Sequence, residues 1–530
     1  MVKMQNKELL FNDQARSAIK SGIDILADAV KVTLGPNGRC VILGEYKKIG
    51  TPHITKDGVT VAKNIKFKDK YKEVGASLIR EAALKTVETV GDSTTSSTVI
   101  AQALINESEK LIQSGISPVE LKRNLQYSLK KAINIIKESS TPIKDSDIKN
   151  IATISANNDE SIGELIADAY SKITENGVIA VEESNSTKTS VDIVTGMQFE
   201  QGFASSYFVT DEIKNECVFS KPYVLISEMK VETMREIMPI LEGIHTENRP
   251  IVIIAQDFSE EVIETLRINV LNGILRVCCV KAPSYGEYRK MILEDLSILT
   301  KANFITHDSA LDFNDIQVHD LGTCDKIIIS KDKTMIIGGK GQNDIPKRVE
   351  VIKARLAEIK KDDATNQEFL IEFFETRIAR LVGGVASIKV GGITELEMKE
   401  RKDRIDDAVC ATKAALEEGI VPGGGITYLK VFNRLYEEKD SKNDLLCHGL
   451  TSIFETLCKN SNFNVKDCLN DISPDKNIGI NMLTGEVVNM LDAGIVDPTS
   501  ASRLALENAV SVTMLYLSTA CVVVPELVEF

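Results

Sequence analysis

Four short segments hold residue types that could do chemistry on a phosphate. The first, Thr33-Leu34-Gly35-Pro36-Asn37-Gly38-Arg39, has glycines that let a backbone approach a phosphate closely and a proline that offers a base a rigid apolar edge. Taken alone it is a turn. The second, Thr55-Lys56-Asp57-Gly58-Val59, sets one ammonium and one carboxylate at a tight turn, or is simply a hairpin loop. The third, Gly91-Asp92-Ser93-Thr94-Thr95-Ser96-Ser97-Thr98, stands directly before a helix expected over Val99–Leu111. A helix N-terminus presents unpaired N–H groups and the positive end of its dipole, the hydroxyls add donors, and Asp92 supplies the hard oxygen that Mg²⁺ prefers. The competing reading of the same residues is a Ser/Thr N-cap with a flexible lead-in. The fourth, Val421-Pro422-Gly423-Gly424-Gly425, follows a helix capped near Gly419 and opens another. G-x-x-x-x-G-K-[ST] does not occur, which excludes a P-loop.

Asp406 and Asp407 fall in a helix whose apolar stripe is Ile405, Ala408, Val409 and Leu416. An aspartate held over a nucleotide can orient attacking water or take its proton, whereas an ordinary helix aspartate faces solvent, and the local residues do not choose between the two. The five histidines are isolated and form no H-E-x-x-H. The ten cysteines include one adjacent pair, Cys278-Cys279, and no C-x-x-C, which reads as buried reduced thiols and not as a disulfide or zinc framework.

The elements that must position these loops follow from periodicity. To about residue 138 the chain is mainly helical, with Ile23, Leu26 and Val30, then Val74, Leu78, Ala82 and Val87, at helical spacing. Between the first helical runs, Cys40–Leu43 and Ile54–Val61 read as short strands. After Pro142 the pattern is mixed, and a strand over Thr189–Val194 ends at a boundary near Gly196. Residues 221–282 read as strand, helix, strand, helix, strand: Pro222–Ser227, Val231–Ile244, Pro250–Gln256, Ser259–Leu271 and Leu275–Val280. The apolar run Ile251–Ala255 fits a strand covered on both faces, and Asp257 or Ser259 can cap the helix after it. Val349, Ile352, Leu356 and Ile359 mark another helix, and a further one runs from about Gln367 to Leu381. Gly383-Gly384 then forms either a hinge or an ordinary helix cap. Long helices resume after Gly391.

Composition limits the classes. A chain of 530 residues suggests about three domains, and 43% hydrophobic with 26% charged residues describes a globular protein. A net charge of -14 without a basic cluster argues against nucleic acid as a partner. Its longest apolar stretches fall far short of the ~20 residues a bilayer-spanning helix needs, so no membrane association is expected. The first residues, MVKMQNKELLFNDQARSAIK, resemble neither a secretory signal nor an organelle transit peptide, so a cytoplasmic location is expected.

The four loops in this order, with Lys281-Ala282-Pro283, Met197-Gln198-Phe199 and Asp497-Pro498, make the chain resemble the group I chaperonins of the bacterial GroEL type over nearly its whole length. The resemblance implies a multidomain α+β and α/β fold. Its parts would be a mainly helical equatorial domain (1–138 and 418–530), a small intermediate domain (139–194 and 386–417) and an α/β apical domain (195–385). Rings of seven subunits would enclose a folding cavity. By similarity, Thr33, Leu34, Gly35 and Pro36 cradle ATP, with Lys56, Ser93, Thr94, Thr95 and Ser96 at the phosphates and Asp92 on Mg²⁺. K⁺ is a further ion that the resemblance admits. Asp57 and Asp407 would serve the attacking water, Gly424 would lie by the nucleotide, Asp497 would meet the ribose, and Asn481, Met482, Leu483 and Ile495 would surround the base. Gly196, Gly383 and Gly384 would be hinges. Client capture would use an exposed apical rim matched here by Phe203, Tyr207, Phe208, Met238, Leu241, Ile263, Arg267 and Ile268, from which a GroES-type lid displaces the client.

The departures carry expectations of their own. Ser93 stands where the family has Gly, Ser96 replaces a Thr, and Arg267 interrupts an otherwise apolar rim. Gln201 replaces an Arg whose acidic partner, across neighbouring subunits, is matched by Glu395. The match is poor from about Leu429 to Ile478, which leaves single and double rings equally open, and no Gly-Gly-Met tail follows Val528-Glu529-Phe530. The resemblance points to an ATP-hydrolysing folding chaperone. The alternative is a chaperonin-like holdase or scaffold with little turnover; a small-molecule kinase is disfavoured because nothing resembles an acceptor-substrate pocket.

Overall fold

The computed structural model describes residues 7–44, 53–90, 93–143, 145–156, 159–173, 178–184, 186–211, 214–245, 247, 249–306, 313, 316–360 and 367–525. Its internal contacts divide the chain into two units, Met1–Ala167 with Ile393–Phe530, and Asp168–Gly392.

In the first unit, β1 (Lys7–Phe11) leads into α1 (Asn12–Lys31), where Ala15, Ile19, Ile23, Leu26 and Val30 recur every three or four residues and are all buried. β2 (Val41–Leu43) and β3 (His53–Thr55) pair antiparallel with Val41 opposite Thr55. The strand expected over Ile54–Val61 therefore stops at Thr55. Its second half is α2 (Gly58–Asn64), because the Asp57 carboxylate accepts from the Val59 and Thr60 amides and nucleates a helix despite the β-branched residues. α3 (Lys70–Val90), α4 (Thr94–Gln113), α5 (Pro118–Glu138), α6 (Asp145–Ser155) and α7 (Glu160–Lys172) follow. α4 begins five residues before the expected Val99, since Ser97 and Thr98 return their hydroxyls to the Thr94 carbonyl at 2.9 and 3.0 Å and so lose no hydrogen bond inside the helix.

The second unit opens with β4 (Val178–Glu183), β5 (Ser190–Val194) and β6 (Gly196–Phe199), then β7 (Cys217–Ser220) and β8 (Tyr223–Ser227). From β8 the expected alternation holds: α8 (Met234–His245), β9 (Ile251–Ala255), α9 (Glu260–Leu271), β10 (Val277–Lys281), with β8, β9 and β10 parallel. Every residue of β8 and β9 is buried, as strands covered on both faces require. α10 (Gly286–Thr300), β11 (Phe304–Ile305), β12 (Gly322–Ile329), β13 (Thr334–Gly339), α11 (Ile345–Ile359), α12 (Gln367–Val382) and β14 (Val385–Val390) complete the unit. The large sheet runs β10-β9-β8-β12-β13-β6, with β11 on β8 and β7 on β12; the smaller runs β4-β14-β5. Asp295 of α10 is fully buried and takes two hydrogen bonds from Arg377 of α12, at 2.7 and 2.9 Å, and one from Arg348 of α11 at 2.7 Å, tying three helices together.

Gly383 donates to the Ala379 carbonyl at 2.7 Å and Gly384 has φ +65°, the geometry of a glycine helix cap. Gly196 lies inside β6 opposite Ile337, where a Cβ would strike Val385 and the Ile336 carbonyl.

The chain returns to the first unit with α13 (Glu395–Glu418), β15 (Ile420–Pro422), α14 (Ile426–Glu437), α15 (Asp444–Leu450), α16 (Ser452–Asn460) and α17 (Val465–Asp471). β16 (Ile478–Ile480) and β17 (Val487–Asn489) form a hairpin, β18 (Val496–Pro498) pairs with β15, and α18 (Thr499–Leu517) runs through the helical core. β19 (Cys521–Pro525) pairs with β1, Lys7 opposite Pro525, so both ends of the described chain share one ribbon. None of the ten cysteines is in a disulfide; Cys40 and Cys410 are exposed and Cys521 is half-buried, which corrects the expectation that all lie buried. Among the described residues no helix is long and apolar enough to cross a membrane.

Candidate functional site

The four loops of the first unit are linked in a chain of contacts: the first and fourth pack on α16, the second reaches the first, and the third reaches the second. Gly35 has φ +82°, and a Cβ there would strike the Leu457 side chain. One turn earlier on α16, Phe454 and Ile453 back Gly425, where a Cβ would stand 3.2 Å from the Phe454 nitrogen. The Asn460 amide, at the end of α16, donates to the carbonyls of Lys31 and Leu34 at 3.0 and 2.9 Å, fixing the turn that holds Thr33, Leu34, Gly35 and Pro36. Thr33 is buried and returns its hydroxyl to Val30. Asn37 then reaches the Met482 carbonyl at 2.6 Å, across 445 residues of sequence. Asn37 and Asn460 were not anticipated as site residues; only the polar character of Asn37 in a Gly-rich turn hinted at it.

The second loop joins the first through Lys56, whose ammonium donates to the Pro36 carbonyl at 3.2 Å. Burial pushes the Lys56 pKa down, Cys40 opposes this, and the nearby positive charge of Arg404 adds to it. Arg404 precedes Asp407 by one turn of α13. Asp407 is half-buried there. The Asp57 carboxylate accepts from Val59 N at 3.0 Å, Thr60 N at 2.8 Å and Thr60 Oγ1 at 2.6 Å. These bonds orient it and occupy most of its lone pairs.

The third loop arrives through Thr95. A Cβ at Gly58 would strike Thr95 Oγ1, so the first turn of α4 lies directly on the Asp57-Gly58 step. Thr95 and Ser96 are half-buried and Thr94 is buried. Ser93 precedes them with φ +69° and ψ +18°, a left-handed conformation that glycine adopts freely and serine only at a cost. Gly91 and Asp92, the expected Mg²⁺ ligand, lie outside the described residues.

The fourth loop is held by strand pairing: Val421 of β15 faces Asp497 of β18, and the Gly423 amide donates to the Ile495 carbonyl at 2.9 Å. Gly424 has φ +62° and leaves room for the Met490 methyl alone, 2.7 Å from where a Cβ would stand. Asn481 turns the β16–β17 hairpin by accepting from Leu483 N at 3.0 Å; Met482 is buried and Leu483 exposed. Thr33 to Pro36, Lys56, Asp57, Thr95, Met482, Gly424 and Ile495 are thus brought together by contacts of loops and strands far apart in sequence. Glycine turns, the start of a helix and the hydroxyls of Thr95 and Ser96 in its first turn fit a nucleoside phosphate. Among the described residues no cluster of three or more His, Cys, Asp or Glu side chains stands ready for a metal.

The second unit holds the residues expected to form a rim. Tyr207, Met238 and Ile268 are 49%, 41% and 53% exposed. Two others are not rim residues: Phe208 (1%) and Leu241 (3%) belong to the core, Leu241 because it falls on the inner face of α8 with Ile237, Ile240 and Ile244. Phe203 and Ile263 are half-buried against that core, and Phe203 pairs with Val280 at the edge of β10. Leu271 and Ile274, which were not anticipated, extend the exposed apolar strip; Leu271 lies one turn beyond Ile268, and that spacing was the available signal. Arg267 lays its guanidinium 4.6 Å from the Tyr207 ring centroid and pairs with Glu264 at 2.6 Å.

A mainly helical unit drawn from both ends of the described chain, with an α/β unit inserted between them in sequence, is the GroEL-like chaperonin architecture. A model of the TCP-1/cpn60 chaperonin family matches residues 26–526, and the chain belongs to that family. It is similar to a solved structure of the chaperonin gp146 from bacteriophage EL (Pseudomonas aeruginosa), determined in the presence of ATP-BeFx: 22% identity, 98% of this chain and 99% of that one, TM-score 0.66. A second crystal form of gp146 superposes with TM-score 0.61 at the same identity and coverage. The sequence is therefore a divergent member, and the protein is a chaperonin.

Proposed function

We propose that the protein is an ATP-driven folding chaperone, hydrolysing ATP in the first unit and capturing non-native proteins on the second. The observation that carries this reading is the linkage of four Gly- and hydroxyl-rich loops, the first and fourth on α16, with Lys56 bonded to Pro36, Thr95 pressed on Gly58 and Asn37 bonded to Met482. Thr33 to Pro36 and Gly424 would receive the nucleotide, and Ser93, Thr94, Thr95 and Ser96 would donate to its phosphates. Lys56, already half-buried, would add positive charge. Asn481, Met482, Leu483 and Ile495 would border the base, and Asp497 the ribose. Asp407 would take a proton from the attacking water, with Asp57, fixed by its own helix cap, orienting that water. Mg²⁺, held by Asp92, would neutralise phosphate charge; K⁺ is compatible with the same pocket.

In the same proposal the chain has equatorial (1–138, 418–530), intermediate (139–194, 386–417) and apical (195–385) parts. Gly196, Gly383 and Gly384 would absorb the motion between them. Subunits would form heptameric rings in the cytoplasm, closed by a GroES-type lid. The capture surface reduces to Tyr207, Met238, Ile268 and Leu271, with Phe203, Ile263 and Arg267 at its base.

A second reading, a holdase with little turnover, is favoured by two observations. Ser93 is held left-handed beside the phosphate donors, and the Asp57 carboxylate already accepts three hydrogen bonds. Single-turnover hydrolysis in Asp407→Ala separates the two. The first reading expects ATP to bind as in the wild type while hydrolysis falls at least a hundred-fold, in the range of ~10²–10⁴ that general-base loss costs. Unchanged hydrolysis would overturn the role of Asp407, and no hydrolysis in the wild type would favour the holdase.

A further inference from the structure

The face built by α8 and α9 is polarised along α9. Both helices follow parallel strands of one sheet and so run in the same direction. The C-terminal half of α9 exposes Ile268 and Leu271 while its N-terminal half carries Glu260, Glu261 and Glu264; on α8 the exposed Met238 stands between Glu236 and the exposed Glu242. Lys230 and Arg235 stand among the carboxylates at the start of α8. Lys230 lies 3.9 Å from Glu232, and Arg235 is exposed on α8. Arg267 is committed to the face itself: it stacks on Tyr207, pairs with Glu264, and buries its Nε without a hydrogen-bond partner. Glu260 and Glu261 open α9 and leave its start acidic, on a chain whose net charge is -14.

Resting on the capture reading above, we propose that this face selects non-native segments in which an apolar run adjoins basic residues, and disfavours segments whose apolar run adjoins acidic ones. The apolar run would lie over Met238, Ile268 and Leu271, where burial is indifferent to sequence. The lysines or arginines would lie over Glu260 and Glu261 at the start of α9. Opposite charges across such a surface steer encounter and discriminate partners more than they add affinity.

The test uses the full-length protein and three fluorescent peptides that share one apolar half and differ in the other half: lysines, serines or glutamates. Anisotropy titrations at low and high salt give the affinities. The expected order is lysine tighter than serine tighter than glutamate, each step about three-fold to ten-fold at low salt, as exposed charge pairs allow, and shrinking as salt screens them. In a Glu260→Gln/Glu261→Gln variant the ratio between the lysine and glutamate peptides should collapse. Equal binding of all three by the wild type, or tightest binding of the glutamate peptide, overturns the charge rule while capture stands. Binding of none overturns the capture reading and the proposal with it.

Discussion

Replacing Gly58 by alanine tests whether the second and third loops meet as described. Gly58 opens α2, and its φ lies outside the left-handed region, so its backbone accepts an L residue. Were nothing in the way, Gly→Ala would stabilise the protein by about 0.4–1 kcal/mol by restricting the unfolded chain. Something is in the way: the new methyl would strike Thr95 Oγ1, with Val30 Cγ1 at 3.3 Å and Thr95 Cβ at 3.6 Å. Overpacking of this kind costs about 1–3 kcal/mol, so the variant should lose roughly 0.5–2 kcal/mol net. In a Thr95→Ala background the offending oxygen is gone, the 3.6 Å contact is ordinary and only the 3.3 Å approach to Val30 Cγ1 remains, so the same change should now lie close to neutral. The coupling between the two sites should therefore reach about 0.5–2 kcal/mol. Urea transitions of the four proteins, followed by far-ultraviolet circular dichroism with m checked for constancy, measure it, and titration with a fluorescent ATP analogue reports the effect on the pocket. Stabilisation by Gly58→Ala in the wild-type background, or the same effect in both backgrounds, would refute the contact.

Asp295→Ala leaves Arg377 and Arg348 without their shared carboxylate and should destabilise the second unit by about 3–5 kcal/mol, read as early proteolytic cleavage within residues 168–392 in urea. Ser93→Gly should relieve left-handed strain of about 1–2 kcal/mol, partly offset by a more flexible unfolded chain, and raise the urea midpoint; a lower midpoint would contradict the assigned conformation. Asp257 is hydrogen-bonded by Lys281 at 2.8 Å and by the Phe258 amide, and these hold its pKa below the ordinary aspartate value of 3.8. Its contribution to stability is present above that value and is lost as pH falls through the lower, folded-state pKa. The stability gap between wild type and Asp257→Asn should accordingly be constant near neutrality and close below about pH 4.

The βαβαβ run from Tyr223 to Lys281 was legible because uninterrupted apolar strands and Ser259 as a cap leave little choice. The start of α4 was not, since Thr94 to Thr98 are as good in a loop as in a helix until their hydroxyls find the Thr94 carbonyl. At Ile54–Val61 the β-branched residues argued for strand, and the cap made by Asp57 outweighed them. The apolar stripe of α8 identified Met238 and Leu241 together; only the sheet beneath decides that Leu241 faces in and Met238 out. Among the site residues, those in Gly-rich turns announced themselves. Asn460 and Asn37 did not, because their partners lie more than 400 residues away and no local pattern encodes such a bond.

The central claim is that ATP hydrolysis in this chain drives folding of a captured client. The direct measurement is the recovered activity of a chemically denatured enzyme diluted into the full-length protein with ATP, without nucleotide, or with Asp407→Ala and ATP. The account predicts recovery above the spontaneous yield only for the wild type with ATP, with the client held and inactive in the other two. Equal recovery with and without ATP, or full recovery with Asp407→Ala, would contradict it.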